Sequence, residues 1–177
     1  MRGEVLGRGL GPGLTTGWLR HRCSRITCLE FDPTLAHTLR QGMGNENVTV
    51  QLGDATAMPF PDKTFSAVLS FTMLHDVPSS DLQDRLSAEA HRVLRPGGVF
   101  AGSDRTWSVR MWIFRFADTM VVLDPKQLPE RLKVAGFEHI SVGARGGRVP
   151  FQARRAAAIS SGDEFEVEAP ARRPTPA

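Results

Sequence analysis

The sequence predicts an α/β fold: a Rossmann-like, doubly wound and mostly parallel sheet with helices on both faces and an antiparallel strand pair at its end. Two observations predict it. Short apolar runs alternate along the chain with segments of helical periodicity, which is typical of a parallel sheet covered by helices. The chain also opens with a short apolar run that leads into Gly9, Gly11 and Gly13, and an apolar-periodic stretch around Trp18 follows. This is the order strand, tight loop, helix.

Capping and stop signals bound the predicted elements. Pro33 suits the first turn of a helix that ends before Gly42, and Ser79 or Ser80 can cap the helix after it. One predicted strand, 65–71, shows no clear alternation, as expected when both faces are covered. The predicted helices are 14–22, 33–41, 81–94 and 128–135. The predicted strands after the first are 26–31, 48–52, 65–71, 99–103, 138–142 and 148–153.

Length and composition predict one domain. The chain has 177 residues, 41% of them hydrophobic, and we expect the domain to span residues 1–153. Residues 154–177 contain little that could be buried and are expected to form a disordered tail. The segment 104–123 is rich in aromatic residues and is either a cover over a substrate pocket or a helix buried against the sheet. We favour burial, because aromatic side chains mostly serve cores and interfaces.

Composition also narrows location and partners. The sequence contains no run of about 18 apolar residues, which is the length needed to cross a membrane. Its start also lacks the charged and then apolar segments of a signal peptide, so we expect a cytoplasmic protein with no membrane partner. The net charge of +3 comes from basic residues spread along the chain, which disfavours nucleic acid as a partner. Cys23 and Cys28 match no zinc or redox spacing, so we expect both to pack in the interior. The sequence predicts no metal site and does not specify an oligomeric state.

Candidate ligand-binding residues follow three successive strands. In a wound parallel sheet, ligands sit beyond the carboxyl ends of the strands. The glycine loop follows the first strand, Glu30 ends the second and Asp54 follows the third. A carboxylate at the second position can accept both ribose hydroxyls, and one at the third can accept from an adenine amino group. The three together describe an adenosine-shaped site, although Glu30 could be a solvated strand end and Asp54 could cap the turn before Ala55.

On these residues the sequence resembles the class I S-adenosylmethionine-dependent methyltransferases, and within them the small-molecule branch. The resemblance covers roughly residues 4–142, and its most specific part is the run from Arg92 to Gly98. The matching segments are Gly9-Leu10-Gly11-Pro12-Gly13, Leu29-Glu30-Phe31-Asp32-Pro33, Gly53-Asp54-Ala55, Met58-Pro59-Phe60 with Phe65, Met73-Leu74-His75-Asp76-Val77 and Arg92-Val93-Leu94-Arg95-Pro96-Gly97-Gly98. The resemblance implies S-adenosylmethionine as cofactor and a small-molecule substrate.

The resemblance also implies a place for each part of the cofactor. Glu30 would hold the ribose, Asp54 the adenine edge, and Ser70 would lie near the sulfonium. The methionine part would lie against the glycine loop. The full set of implied cofactor-binding residues is Gly9, Leu10, Gly11, Gly13, Glu30, Phe31, Asp54, Ala55 and Ser70.

His75 is the candidate base for an attacking hydroxyl or acidic carbon, because imidazole exchanges protons near neutral pH. A packing or hydrogen-bonding role is its alternative, and Asp76, His91 and Asp104 are weaker candidates. The Asn-Pro-Pro-Tyr type of motif of amino-group methyltransferases acting on DNA and protein is absent. Residues 70–73 read Ser-Phe-Thr-Met instead, which argues against those substrates.

The sequence departs from the family pattern in three places. Gly7 and Arg8 stand where the family usually has an acidic and then an apolar residue, and Ser66 replaces a frequent aspartate. Family members also generally begin with helices that cover the cofactor, so we expect this chain to be truncated at its N-terminus. A binding-impaired or inactive methyltransferase fold is therefore the first alternative. The second is a nicotinamide-dependent oxidoreductase, although Leu14 stands where its fingerprint needs a third glycine.

Overall fold

In the computed structural model, strands and helices alternate as predicted. The structure describes residues 3–8, 19, 21–42, 47–71, 74–105 and 123–158. The strands are β1 (Glu4–Arg8), β2 (Arg25–Glu30), β3 (Val48–Leu52), β4 (Phe65–Phe71), β5 (Leu94–Arg105), β6 (Phe137–Val142) and β7 (Arg148–Arg155). The helices are α1 (Pro33–Gly42), α2 (Ser80–Val93) and α3 (Leu128–Val134), with a 3-10 turn at Leu74–Asp76. Most of the predicted helix 14–22 and most of the segment 104–123 lie outside the described residues.

The described strands form one seven-stranded sheet in the order β3-β2-β1-β4-β5-β7-β6. The first five strands of this order run parallel, and β7 runs antiparallel to both β5 and β6. The strand order reverses between β1 and β4, whose ends meet where Arg8 pairs with Ser70. The prediction of a doubly wound, mostly parallel sheet with an antiparallel terminal pair is confirmed. It places a ligand crevice at the carboxyl ends near this reversal.

The helix starts follow from the capping residues. Asp32 Oδ1 accepts from the backbone N–H of Thr34 at 2.7 Å and of Leu35 at 3.0 Å, so it caps α1. Ser79 Oγ accepts from the N–H of Leu82 at 3.2 Å and caps α2. None of the described helices is both long and apolar enough to cross a bilayer.

The sheet separates two apolar clusters. Leu6 belongs to the larger cluster, which includes Phe100 from β5 and side chains of α2 and α3. Val5, its neighbour in β1, belongs to the smaller cluster with Leu39 of α1. Successive strand residues therefore face opposite layers, as the period of two requires. Helices cover both faces of the sheet.

Both cysteines lie on the side of α1. Cys23 and Cys28 are buried and free, as expected from their spacing. Burial, with a smaller contribution from Glu30, raises the pKa of Cys28 to about 11, and burial also raises the pKa of Cys23. Both thiols are therefore suited to packing rather than to nucleophilic chemistry.

Two strands, β5 and β7, extend beyond their predicted bounds. β5 begins at Leu94 rather than at 99, because Leu94 already pairs with Phe65 before a register shift. β7 continues to Arg155, beyond the predicted strand end at 153. Arg155 Nη1 donates to the carbonyl oxygens of His91 at 2.7 Å and Leu94 at 2.7 Å, which holds this end of the strand on α2. The predicted disordered tail thus overlaps an ordered strand at its start, and residues 159–177 lie outside the described residues.

Candidate functional site

A cavity of about 360 Å³ opens beyond the carboxyl ends of β2 and β3. Its walls come from the loops after these strands and from the segment that leads into α2. They are Phe31, Asp54, Thr56, Asp76, Val77, Pro78 and Leu82. Two predicted ligand-binding residues, Phe31 and Asp54, therefore share one cavity, and Glu30 directly precedes Phe31. A cavity of this size suits a small molecule.

Glu30 is held in place by its own loop. Its Oε1 accepts from the backbone N–H of Phe31 at 2.9 Å and of Asp32 at 3.1 Å. No described residue donates to Oε2. Phe31 is 66% exposed beside it and presents an apolar ring at the rim of the cavity. The carboxylate is thus oriented while one of its oxygens stays available to a hydroxyl donor.

Asp54 caps a turn, which is the alternative that the sequence had left open. Its Oδ1 accepts from the N–H of Thr56 at 2.8 Å, and its Oδ2 accepts from Oγ1 of the same residue at 2.9 Å. Each carboxylate oxygen has a second lone pair, so the side chain is fixed and can still accept from a ligand in the cavity. Ala55 is fully buried in the larger cluster, so its methyl group serves the interior.

The loop that follows Asp54 is anchored to α2 by Arg92. Its Nη1 donates to Phe60 O and Asp62 Oδ1, each at 2.8 Å, and its Nη2 donates to Met58 O at 3.0 Å. Glu89 binds the same guanidinium through both oxygens, at 2.7 and 2.8 Å, and accepts from Met58 N at 2.7 Å. The hydrogen bonds with Arg92 lower the pKa of Glu89, and those with Glu89 and then Asp62 raise that of Arg92. Arg92 and Glu89 therefore fix the loop that continues from the cavity residue Thr56.

Ser70 lies at the end of β4, next to the strand reversal. It is 3% exposed, and its Oγ has no hydrogen-bond partner among the described residues. A buried hydroxyl without a partner costs about 1–3 kcal/mol, so a polar ligand group at this place would be stabilised by it. On the neighbouring strand, a Cβ at Gly102 would overlap the carbonyl oxygen of Ser70 and lie 2.7 Å from Phe151 Cζ. Glycine there lets β5 lie against β4 at this point.

His75, the candidate base, lies between two carboxylates. Its Nδ1 is 2.5 Å from Asp104 Oδ1, and its Nε2 is 3.2 Å from Asp76 Oδ1. Asp104 Oδ2 also accepts from the N–H of Leu74 at 2.7 Å and of His75 at 3.2 Å. The side chains of His75 and Asp104 are 7% and 1% exposed, whereas that of Asp76 is 47% exposed and lines the cavity. Both ring nitrogens of His75 therefore face carboxylate oxygens, one buried and one at the cavity.

The remaining candidates divide into two groups. His91 lies away from the cavity, with its ring edge-on to Phe137 at a centroid distance of 5.1 Å. Burial, and then the charge of Arg155, lower the pKa of His91. The glycine-loop residues Gly9, Leu10, Gly11 and Gly13 lie outside the described residues. Among the described residues, no three metal-binding side chains cluster in a way that could hold a metal ion.

Sequence reasoning did not find four residues of the cavity wall. They are Thr56, Val77, Pro78 and Leu82. Thr56 had a local signal, because a threonine two residues after an aspartate can bond to its carboxylate. The other three form a largely apolar wall. Val77 ends a segment that matches the family, but no motif marks Val77, Pro78 or Leu82 as a cavity residue.

A family model described as "Methyltransferase domain" matches residues 6–102. The chain belongs to this family. The match covers every element from β1 to the middle of β5, and so it includes both acids and the His75 segment. Nothing in the comparisons supports the nicotinamide-dependent alternative.

Two relatives of this methyltransferase-domain protein have names that specify a small-molecule acceptor. It is 32% identical over 143 residues to 2-methyl-6-phytyl-1,4-hydroquinone methyltransferase 2, chloroplastic, of Oryza sativa subsp. japonica, covering 78% of this chain and 40% of the relative. It is 48% identical over 103 residues to a fatty-acid O-methyltransferase of Mycolicibacterium smegmatis, covering 57% of this chain and 36% of the relative. The chain thus spans well under half the length of both relatives.

The fold also matches solved structures. A structure of an S-adenosylmethionine-dependent methyltransferase from Mesorhizobium loti superposes with a TM-score of 0.71 and 18% identity, covering 86% of this chain and 91% of that one. At this identity the likeness shows the fold alone, and the fold is the Rossmann-like one expected from the sequence.

Proposed function

We propose that this methyltransferase-domain protein transfers a methyl group from S-adenosylmethionine to a small-molecule acceptor. The observation that carries the proposal is the shared cavity at the carboxyl ends of β2 and β3, which Asp54 and Phe31 line directly after their strands. Family membership supports the same reaction. When bound, the cofactor supplies an activated methyl group, so the protein has mainly to bind and align the two reactants.

The described residues fit the adenosine part of this cofactor. We assign the ribose hydroxyls to Glu30, whose Oε1 is fixed by two backbone N–H groups. We assign an edge of the adenine to Asp54, and one face of the base to the exposed ring of Phe31. Ser70, with its buried and unpaired hydroxyl, is assigned to the polar end of the cofactor near the strand reversal.

The role of His75 as a base stays a prediction. To take a proton from an acceptor, Nε2 has to be reached by that acceptor, and Oδ1 of Asp76 lies 3.2 Å from it. Asp104 would keep the ring oriented through Nδ1 during such a step. Cytoplasmic location and the absence of nucleic-acid partners likewise stay predictions of the sequence.

The acceptor is tested with the two compound classes that the relatives' names give. Purified protein is incubated with methyl-labelled S-adenosylmethionine and either a phytyl hydroquinone or a long-chain fatty acid, and labelled product is measured. We expect transfer to at least one acceptor, and loss of transfer in Glu30→Ala and Asp54→Ala. Cofactor binding without transfer to any acceptor in a broad panel would favour the inactive alternative. Transfer that survives in both variants would show that the assigned site is wrong.

A further inference from the structure

Asp76 was expected to be at most a weak proton-transfer candidate, yet it has the geometry of a built binding group. Its side chain is 47% exposed, and it lines the same cavity as Asp54. Its Oδ1 lies 3.2 Å from Nε2 of His75, within ion-pair distance, which leaves Oδ2 to face other partners. A carboxylate on a cavity wall with a buried ring against one of its oxygens has fewer positions open to it before a ligand arrives.

A buried chain of side chains supports this orientation. His75 is fixed in turn by Asp104, whose Oδ1 lies 2.5 Å from Nδ1. Asp104 also accepts from the N–H groups of Leu74 and His75, and Gln83 Nε2 donates to Leu74 O at 2.8 Å. These contacts thus connect the end of β5, through the 3-10 turn, to the exposed carboxylate of Asp76 on the cavity wall. Ring orientation through a second carboxylate is a common way to aim an imidazole.

The ligand that two such carboxylates suit is an aromatic amino group. An exocyclic amino group on adenine carries two N–H donors, so it is bound by acceptor groups such as carboxylate oxygens and not by a cationic side chain. Asp54 can satisfy one donor through a second lone pair, while both of its oxygens also accept from Thr56. Oδ2 of Asp76 offers a second acceptor, since only Oδ1 lies against His75. The apolar wall of Val77, Pro78 and Leu82 then borders the flat base.

We propose that Asp76 is a specificity-determining residue that accepts a hydrogen bond from the adenine amino group of the cofactor, and that His75 and Asp104 are positioning residues for it. This rests on the proposed function, because it assumes that the cavity takes the adenosine part of S-adenosylmethionine. It assigns to the His75 segment a part in cofactor recognition in addition to any part in proton transfer. No metal ion or further reactant is required.

The test compares two ligands by titration calorimetry. S-adenosylhomocysteine carries the amino group, and its inosine counterpart carries a carbonyl oxygen at the same position. Wild-type protein should prefer the adenosine compound. Asp76→Ala should weaken binding of the adenosine compound roughly ten- to a hundredfold, the usual effect of losing a hydrogen bond to a charged group, and should change binding of the inosine compound much less.

A second variant makes the test reciprocal. Asp76→Asn puts an amide N–H₂ donor on the cavity wall, which suits the inosine carbonyl. The variant should therefore bind the adenosine compound more weakly and the inosine compound more tightly than the wild type does. Asp81→Ala is the matched control, since Asp81 is an exposed carboxylate in the first turn of α2 and does not line this cavity. The control should bind both ligands as the wild type does.

The positioning residues have their own comparison. His75→Gln keeps an N–H₂ donor within reach of Asp76, whereas His75→Leu removes it. We expect the glutamine variant to retain more of the adenosine preference than the leucine variant. An equal preference for the adenosine compound in both variants would show that His75 does not position Asp76.

Each outcome has a separate meaning. If Asp76→Ala weakens both ligands by the same factor, or neither, then Asp76 does not recognise the amino group and the inference is overturned while the proposed function stands. If the wild type binds neither ligand, the proposed function fails and the inference fails with it.

Discussion

Oδ1 of Asp104 lies 2.5 Å from Nδ1 of His75, although 29 residues separate the two in the chain. The contact joins the end of β5 to the turn after β4, and both groups are almost completely buried. Because these strands are neighbours in the sheet, their carboxyl ends bring the two segments together. The wall of the cavity is thus tied to the central part of the sheet through one carboxylate.

The first prediction concerns this carboxylate. Asp104→Asn leaves an amide in contact with up to three donors, and a buried donor without its acceptor costs about 1–3 kcal/mol. We expect the free energy of unfolding, measured by urea denaturation, to fall by about 3 kcal/mol. Asp124→Asn, at an exposed aspartate of the loop before α3, should cost less than about 1 kcal/mol. Similar losses in the two variants would contradict the role given to Asp104.

Arg92 offers a second test, because its planar guanidinium binds three acceptor groups of the loop after Asp54 and both oxygens of Glu89. Lysine cannot reproduce this set. Arg92→Lys should lower the free energy of unfolding by about 2 kcal/mol and weaken binding of S-adenosylhomocysteine, because the loop that continues from the cavity loses its support. Arg95→Lys is the control, since Arg95 is half exposed and its contacts are with Glu4 and Lys63. An unchanged free energy of unfolding in Arg92→Lys would show that the loop after Asp54 does not depend on Arg92.

The end of the domain is tested by truncation. Arg155 Nη1 donates to the carbonyl oxygens of His91, Arg92 and Leu94 at 2.7–2.9 Å, at the end of α2 where carbonyl groups lack partners within the helix. A chain ending after Ala153 should therefore melt at a lower temperature than one ending after Ala158. Arg155→Ala in the full chain should reproduce most of the loss, whereas Arg154→Ala should not. Equal melting temperatures for the two truncated chains would show that residues 154–158 do not stabilise the domain, as composition had led us to expect.

His91 predicts a pH dependence of stability. Burial and the charge of Arg155 lower its pKa in the folded protein, so the unfolded chain takes up a proton at a higher pH than the folded one. The contribution of neutral His91 is fully present above the ordinary histidine pKa, about 6.5, and is lost as pH falls through the lowered value.

Urea midpoints between about pH 7.5 and about pH 5 measure this dependence. The wild-type midpoint should fall on acidification, and His91→Phe should flatten that part of the curve whatever its effect at neutral pH. His139→Asn, at an exposed histidine with positive φ that asparagine tolerates, should keep the wild-type slope. An unchanged slope in His91→Phe would assign the dependence to other groups.

Much of the fold was readable from local patterns. The strands 48–52 and 65–71 were predicted with the bounds that the structure has, and the α2 cap at Ser79 followed from residue type. These features depend on side-chain periodicity and on hydrogen bonds within a few residues. The acids at strand ends could also be predicted, because the carboxyl ends of parallel strands all lie at the same edge of the sheet.

Other features depend on contacts between distant segments, and no local pattern records them. The pairing of Leu94 with Phe65 and the capping of α2 by Arg155 are formed only when strands far apart in the chain become neighbours. His75 could be identified as chemically interesting, but its two carboxylate partners could not both be assigned, since Asp104 comes from another strand. The family departure at Ser66 also has a local explanation that needed the structure: its Oγ donates to Glu4 O in the neighbouring strand at 3.0 Å.

The central claim is that the cavity beyond β2 and β3 holds the adenosine part of S-adenosylmethionine. Titration calorimetry of the wild type and of Asp54→Ala with S-adenosylhomocysteine, and of the wild type with a nicotinamide dinucleotide, tests it most directly. We predict saturable binding of S-adenosylhomocysteine, at least about tenfold weaker binding in Asp54→Ala and no binding of the dinucleotide. Absence of S-adenosylhomocysteine binding, or equal affinity in wild type and variant, would contradict the claim.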